Sequence, residues 1–326
     1  MPFTLSHPLF SVPLRRIVPS LSVTGLVLGS MAPDMEYFVA LQSNKTIGHS
    51  LPGFLLLGIP LCLSLGYAFH RVMKPALPAL LPSTGGLDQF AKDMIRPWPI
   101  RSTAQQMWYL LSLFIGYLTH IFMDNWTHVD GIFVEMLPYL RQHKVNGEPL
   151  YQLMQLFFSG LGLAVPLLLL FMKWVRWREG AGRDRRPLSS RRTKRLIWLH
   201  ALSIGACLFT VKVMSAEDPL WFGIWIVAPF SCLLFGVYAA SLLRIRSQYG
   251  RTSKAWLSIG ALLLVMGLYK LTDYLGLRII LEDELWLLHI WLLTLTITLV
   301  TRYSWPAKQG RGLSTGNQPA SLKRRL

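Results

Sequence analysis

The feature that most constrains this chain is a series of apolar runs, each about as long as a bilayer is thick. A helix needs about 20 residues to cross the hydrocarbon core of a membrane. Seven runs with few charges approach this length: Leu51 to Phe69, Met107 to Asp124, Leu153 to Met172, Leu196 to Met214, Leu220 to Leu243, Ala255 to Leu277 and Leu285 to Thr301. The sequence therefore predicts an all-α, polytopic membrane bundle with about seven transmembrane helices.

One further apolar stretch, Leu21 to Ala32, is too short to cross and is bounded by Pro19 and Pro33. Proline ends or kinks a helix, so we predict a short re-entrant or interfacial helix here. Residues 75–100 are rich in Pro and Gly and predict a loop with one short amphipathic helix near Leu87 to Ile95. The opening residues lack the pattern of a cleaved signal peptide and are expected to remain in the mature protein.

Composition supports the membrane class and argues against nucleic acid as a partner. The chain is 52% hydrophobic and only 15% charged, yet its formal net charge is +17. The positive residues cluster in short stretches between apolar runs, as in loops that face anionic lipid. The three cysteines, Cys62, Cys207 and Cys232, all lie in apolar runs without paired spacing, so neither a disulfide framework nor a thiolate metal site is expected.

The basic residues also predict orientation and organisation. Ten Lys or Arg residues lie between Lys173 and Arg195, which predicts a cytoplasmic loop in a bacterial inner membrane with the C-terminus on the same side. Counting outward from this loop places His49 and the His120 region on the extracytoplasmic side. We expect four parts: a motif-bearing membrane domain (1–180), a basic loop (181–195), a four-helix membrane region (196–305) and a disordered basic tail (306–326).

A polar constellation follows from this topology. His120, Asp124 and His128 are spaced i, i+4, i+8, so on a continuous helix they lie within about 80° of one another. Imidazole and carboxylate are natural ligands of zinc and similar divalent ions. The alternative is a polar helix end at the membrane interface, with Trp126 as an aromatic anchor.

Asp34, in the turn GSMAPD, and His49, before the helix that starts at Leu51, fall on the same predicted membrane side. His7 joins them only if the Leu21 to Ala32 segment is re-entrant, which we prefer because the segment is short. Glu36 follows Asp34 by two residues. We expect either a carboxylate that supports a metal ligand or acts as general base, or a solvated surface residue.

At these residues the sequence resembles a known family. The segments MPFTLSHP, GSMAPDMEYF, GHSLPG and LTHIFMDNWTH look like an uncharacterised family of bacterial multi-pass membrane proteins, described as a domain of unknown function. The match is specific for residues 1 to about 180. The order of motifs is in turn similar to bacterial inner-membrane proteins that are predicted metal-dependent hydrolases and are distantly likened to zinc phospholipase C.

This resemblance implies a metal site built from His7, Asp34, His49, His120 and Asp124, with His128 as a further candidate. We therefore expect a hydrolase with a divalent cation, expected to be zinc, at the extracytoplasmic face, acting on a phosphoester or lipid-linked substrate. Glu36 or an Asp that does not bind the cation would serve as general base. The alternative is a non-enzymatic scaffold or transporter-like protein whose cluster holds a structural or transported ion, or none.

Overall fold

The structure is a computed structural model that describes residues 4–43, 47–98, 100, 102–180, 186–276 and 282–305, without the side chains of residues 273, 274 and 282. The described residues are almost wholly helical. The exception is a hairpin in which Lys144–Val145 pairs antiparallel with Glu148–Pro149. The predicted tail after residue 305 and residues 181–185 of the basic loop lie outside the described residues.

Thirteen α-helical elements follow one another in the described residues, counting the continuous helix Leu51–Leu80 as one. They are α1 (Pro8–Ser11), α2 (Val23–Met31), α3 (Met35–Ala40), α4 (Leu51–Leu80), α5 (Leu87–Met94), α6 (Thr103–Thr127), α7 (Ile132–Met136), α8 (Tyr139–Gln142), α9 (Leu150–Gly180), α10 (Arg191–Met214), α11 (Phe222–Ser247), α12 (Thr252–Tyr274) and α13 (Glu282–Arg302). Short 3₁₀ turns at Thr4–Ser6, Val12–Arg16, Ala32–Asp34 and Thr84–Gly86 connect or extend them.

Six of these helices are long and apolar enough to cross a membrane: α4, α9, α10, α11, α12 and α13. The predicted polytopic, all-α membrane class is confirmed. The seventh predicted segment, Met107 to Asp124, lies within α6, which is less apolar than the six. The Tyr109 hydroxyl donates to the Cys62 carbonyl and the Tyr117 hydroxyl to the His49 carbonyl, so α6 runs antiparallel alongside α4.

The expected loop over residues 75–100 is partly wrong, because α4 continues through Pro75 and Pro78 to Leu80. A proline inside a membrane helix is tolerated when neighbouring groups satisfy the freed carbonyls. Pro75 has no N–H for the Arg71 carbonyl four residues earlier, and the Trp305 indole donates to that carbonyl at 2.8 Å instead. The predicted amphipathic helix near Leu87 is confirmed as α5.

The bundle has two distinct ends. At one, which we call the His49 end, the Lys212 ammonium donates to the Ala40 carbonyl and the Trp286 indole donates to Glu36. At the other, the Leu80 end, the Trp305 indole donates to the Arg71 carbonyl and the Trp174 indole to that of Gly85. Residues far apart in sequence thus meet at each end.

The N-terminal segment forms a hairpin that starts and finishes at the His49 end. Thr4 contacts Asp34 there, whereas Thr24 contacts His70 well along α4 toward the Leu80 end. Helix α2 then returns against α6, and a Cβ on Gly29 would lie only 2.1 Å from the Leu113 carbonyl oxygen, so only glycine permits this approach. This re-entrant path places His7 beside the other predicted ligands.

Candidate metal centre

Four elements bring five of the predicted ligands together at the His49 end. His120 and Asp124 lie one turn apart on α6, Asp34 closes the 3₁₀ turn before α3, and His49 precedes α4. His7 lies just before α1, with its ring stacked on that of His120 at a centroid distance of 3.9 Å. We call these five residues, His7, Asp34, His49, His120 and Asp124, the His/Asp cluster.

The ligand atoms of the cluster form two overlapping triads. One comprises His7, Asp34 and His120 and the other His49, His120 and Asp124, and within each the ligand atoms lie within 4.8 Å of one another. The individual separations are 3.2 Å from His120 Nε2 to Asp124 Oδ2, 3.4 Å from His49 Nε2 to Asp34 Oδ1, 3.5 Å from His49 Nε2 to Asp124 Oδ2, 3.7 Å from His7 Nε2 to Asp124 Oδ1 and 3.8 Å from His120 Nε2 to Asp34 Oδ1.

These separations fit ligands around a cation better than they fit direct hydrogen bonds. Hydrogen bonds from a ring nitrogen to a carboxylate measure about 2.7–3.2 Å. Ligand atoms on a tetrahedral zinc ion with bonds of about 2.0–2.1 Å lie about 3.3–3.4 Å apart. Four of the five distances exceed the hydrogen-bond range, and two of these, 3.4 and 3.5 Å, lie close to the separation of tetrahedral ligands.

The cluster also contains buried polar atoms that find no hydrogen-bond partner among the described residues: both ring nitrogens of His7, Nδ1 of His49, Nε2 of His120 and Oδ1 of Asp124. An unsatisfied buried polar atom costs about 1–3 kcal/mol. Such atoms in native proteins require an explanation, and a cation is one that would satisfy several at once. The donor set of nitrogen and carboxylate oxygen suits a divalent ion of the zinc type.

Two outer contacts orient the ligands. Nδ1 of His120 lies 2.8 Å from the Ser30 carbonyl oxygen, which only accepts hydrogen bonds, so Nδ1 carries the proton and Nε2 presents its lone pair to the cluster. The Thr4 hydroxyl donates to Asp34 Oδ2 at 2.6 Å, leaving Oδ1 to face the histidines. Since both triads need the single lone pair of His120 Nε2, they describe one ion site rather than two.

Electrostatics inside the cluster differ between its histidines. Burial, aided by the neighbouring His120, lowers the pKa of His7 to about 3, so His7 is neutral and able to act as a ligand. Burial opposes charge on His49 too, but the nearby carboxylates of Asp124 and Asp34 outweigh it and raise the pKa of His49 to about 9, so a cation would have to displace a proton to bind this ring. Burial likewise opposes ionisation of Asp34, but the nearby rings of His120 and His49 hold the pKa of its carboxyl below the usual value.

The sixth predicted ligand, His128, lies at the edge of the cluster. Its Nδ1 is 3.5 Å from Asp124 Oδ1 and 3.2 Å from the Asp124 backbone oxygen, and it belongs to neither triad. The backbone of His128 is extended at the end of α6, so this residue is not part of the helix. The helical spacing that predicted His128 on the same helix face as His120 therefore does not apply. The geometry favours a position beside the site rather than direct ligation.

Glu36 is fully buried, so it is not a solvated surface residue. Its carboxylate oxygens accept hydrogen bonds from groups outside the cluster. Oε1 accepts from the Gly48 backbone N–H and Oε2 from the Trp286 indole at 3.1 Å. The role of Glu36 as general base stays a prediction, but these contacts favour a positioning role. Glu36 holds the backbone immediately before His49, so it is placed to position that ligand.

Three residues that support the site, Thr4, Ser30 and Trp286, were not predicted from the sequence. Ser30 acts through its carbonyl, which carries no side-chain signal, and Trp286 is distant in sequence from every ligand. Thr4 lies within the motif MPFTLSHP, and its proximity to His7 was the one available signal.

The model of one protein family, described as a domain of unknown function (DUF4184), matches residues 1–245 of the chain. The chain belongs to the DUF4184 family. The match extends beyond the first 180 residues, where the sequence resemblance was specific, and it includes all five residues of the His/Asp cluster. Trp286 and the helix α13 that carries it lie beyond the DUF4184 match.

Comparisons with curated proteins and with solved structures found no significant match. The proposed chemistry of this DUF4184 member therefore rests on its own residues.

Proposed function

We propose that this chain is a metal-dependent hydrolase whose His/Asp cluster holds one divalent cation, expected to be zinc. The substrate would be a phosphoester or a lipid-linked ester reached from the His49 end. The observation that supports this most strongly is the group of buried, unpartnered ligand atoms within the cluster. A polar cluster that served packing alone would be expected to satisfy them internally.

The openness of the cluster supports an enzyme over a closed structural site. The side chains of His7, Asp34 and His120 are almost fully buried, whereas those of His49 and Asp124 remain 19% and 15% exposed. Structural zinc sites are closed by four protein ligands, and catalytic ones keep a position open. The exposed side of the cluster offers a path for water and substrate.

A cation held there would supply Lewis acidity, polarising a phosphoryl or acyl oxygen and lowering the pKa of water toward neutrality. The chain's own residues would then have separate tasks. His7 presents a neutral nitrogen, and the Ser30 carbonyl turns Nε2 of His120 toward the cluster. Thr4 fixes the orientation of Asp34. Asp124 lies in the cluster and is partly exposed, whereas Glu36 is buried and engaged outside it, so Asp124 is better placed to accept a proton from water.

The orientation of the chain supports an extracytoplasmic site. The basic residues Arg186, Arg191 and Lys194 lie near α5 at the Leu80 end, opposite the cluster. Positively charged loops of membrane proteins remain in the cytoplasm. The His49 end would then face outward from the cytoplasmic membrane, and the basic C-terminal tail inward.

The test is metal analysis and hydrolysis with the full chain purified in detergent. Wild type is compared with His120→Ala, Asp124→Ala and the matched control His70→Ala, whose ring contacts Thr24 and Trp98 away from the cluster. We expect about one ion per chain in wild type and control, and little in the two cluster variants. Hydrolysis of a nitrophenyl phosphodiester should fall by more than about a hundredfold, since loss of a ligand exceeds the effect of losing an outer contact.

Equal metal content in all four proteins would overturn the site. Metal that is bound in wild type and lost in both cluster variants, with no hydrolysis of phosphoesters or carboxylic esters, would favour the non-enzymatic alternative of a structural or transported ion.

A further inference from the structure

Beside the cluster lies a cavity of about 550 Å³ between the N-terminal segment, α3 and the start of α11. Its apolar wall is formed by Leu5, Phe38, Phe222, Ile226, Val227 and Phe230. We call this cavity the aromatic groove. Its volume is typical of a ligand pocket, and the described residues that line it include no Asp, Glu, Lys, Arg or His.

The aromatic groove adjoins the His/Asp cluster, since two of its lining residues contact residues of the cluster. Thr4 lines the groove and also donates its hydroxyl to Asp34. Tyr37 lines the groove and its ring centroid lies 6.4 Å from that of His49. A molecule in the groove would therefore be separated from Asp34 by the Thr4 side chain alone, and from His49 by the Tyr37 side chain alone.

The groove also faces the region where lipid tails would lie. Helix α11 is long and apolar enough to cross a membrane, and its residues Phe222 and Ile226 are 74% and 48% exposed. Phe222 and Phe230 are eight residues apart, which on a helix is about 12 Å of depth from the His49 end. At that depth the rings of Phe230 and Phe38 lie 5.8 Å apart.

We propose that the aromatic groove binds the hydrocarbon chain of an amphiphilic substrate whose phosphoester headgroup reaches the His/Asp cluster. This inference rests on the proposed hydrolase function and specifies its substrate class. A freely soluble phosphoester would leave the groove's apolar wall without a partner. An amphiphile fills it and carries its polar group to Thr4, Tyr37 and the cluster beyond.

Photocrosslinking tests occupancy of the groove without relying on turnover. The probe is a long-chain alkyl phosphonate, which cannot be hydrolysed, with a photoreactive group in its chain, applied to the full chain in detergent with zinc. We expect labelling to concentrate on residues 222–230, and a long-chain alkyl phosphate to compete where inorganic phosphate does not. Ile226→Trp, which narrows the groove, should weaken labelling about tenfold, as expected for losing contact with roughly two methylene groups.

The matched control is Leu264→Trp, which adds the same ring to an exposed position of α12 that does not line the groove. It should label like wild type, and His120→Ala should weaken labelling because the headgroup loses its site. Equal labelling by an alkyl alcohol probe without the phosphonate, or labelling of Ile226→Trp and His120→Ala at the wild-type level, would overturn the proposal. Groove labelling that meets all expectations while hydrolysis is absent would count against the hydrolase alone.

Discussion

Two buried polar clusters, one at each end of the bundle, handle their charged groups in opposite ways. At the Leu80 end, Lys194 donates to Asp88, to the Ser83 hydroxyl and to the Leu81 carbonyl. Asp88 also accepts from the backbone of Gln89 and Leu188, so both of its oxygens are engaged. At the His49 end, the His/Asp cluster leaves several ring nitrogens and a carboxylate oxygen without partners among the described residues.

This difference separates a structural polar cluster from a candidate functional one. Burial of charge is costly, and a folded chain offsets the cost by complete hydrogen bonding when the cluster serves stability alone. The Asp88 and Lys194 pair meets this requirement and ties α5 to α10. The His/Asp cluster does not, although His7, Asp34 and His120 are as deeply buried as that pair. An ion supplied from outside the chain would complete it.

The largest effect should come from breaking the pair at the Leu80 end. Lys194→Ala removes the ammonium and leaves Asp88, which is 1% exposed, without its charged partner. We expect a loss of about 3–5 kcal/mol in the free energy of unfolding, measured by thermal or denaturant unfolding in detergent. Metal content per folded chain should remain that of wild type, because the pair lies at the opposite end from the cluster.

A double variant provides the control. Asp88→Leu with Lys194→Met removes both charges together and should recover most of the lost stability, because no unpaired buried charge remains. If the double variant is as unstable as Lys194→Ala, or if Lys194→Ala alone abolishes metal binding, the division between a structural and a functional end is wrong.

Acidification should also weaken the pair of Asp88 and Lys194, with a smaller loss of stability than that caused by Lys194→Ala. Burial opposes ionisation of Asp88, but the hydrogen bonds from Lys194 and Ser83 outweigh it and hold the pKa of its carboxyl below the usual value. A group whose pKa is depressed by folding contributes stability above its unfolded pKa and loses it as pH falls through the folded pKa. Wild type should therefore lose more stability than Asp88→Asn on acidification.

The measurement is thermal unfolding of both proteins at a series of pH values from neutral to strongly acidic. Other groups titrate in both proteins, so the difference between them reports on Asp88. Parallel curves for wild type and Asp88→Asn would contradict the prediction.

The sequence predicted the membrane class and most of the helices because these follow from apolar runs and turn residues. It also placed His120 and Asp124 one turn apart, since helical spacing fixes their relation. Topology placed Asp34 and His49 on the same side as these two residues. The position of His7 depended on the re-entrant path of residues 4–34, which topology alone left open. The position of His128 beside the cluster follows from the end of α6 just before it, and the contacts of Glu36 with Gly48 and Trp286 are set by tertiary packing, so neither could be predicted from the sequence.

A smaller effect is expected from a contact that orients a ligand without binding the ion. Thr4→Val keeps the shape of the side chain but removes the hydroxyl that donates to Asp34 Oδ2. We expect metal affinity to fall about tenfold, the lower part of the range for such outer contacts. Competition with a chromophoric chelator measures it, and Thr4→Ser, which restores the donor, should bind near the wild-type level. Wild-type affinity in Thr4→Val would show that Asp34 needs no such orientation.

The smallest predicted effect asks whether α13, which lies beyond the DUF4184 match, supports the functional end. Trp286→Phe keeps an aromatic ring in the core but removes the indole donor to Glu36 Oε2. Losing one hydrogen bond to a buried carboxylate should cost about 1–3 kcal/mol of stability and, through the Gly48 backbone, weaken metal binding by less than about tenfold. The matched control is Trp291→Phe on the same helix, whose indole donates to the Leu56 carbonyl instead. Equal metal affinity in the two variants would mean that Glu36 does not position His49, whereas a loss confined to Trp286→Phe would extend the site to a helix outside the family match.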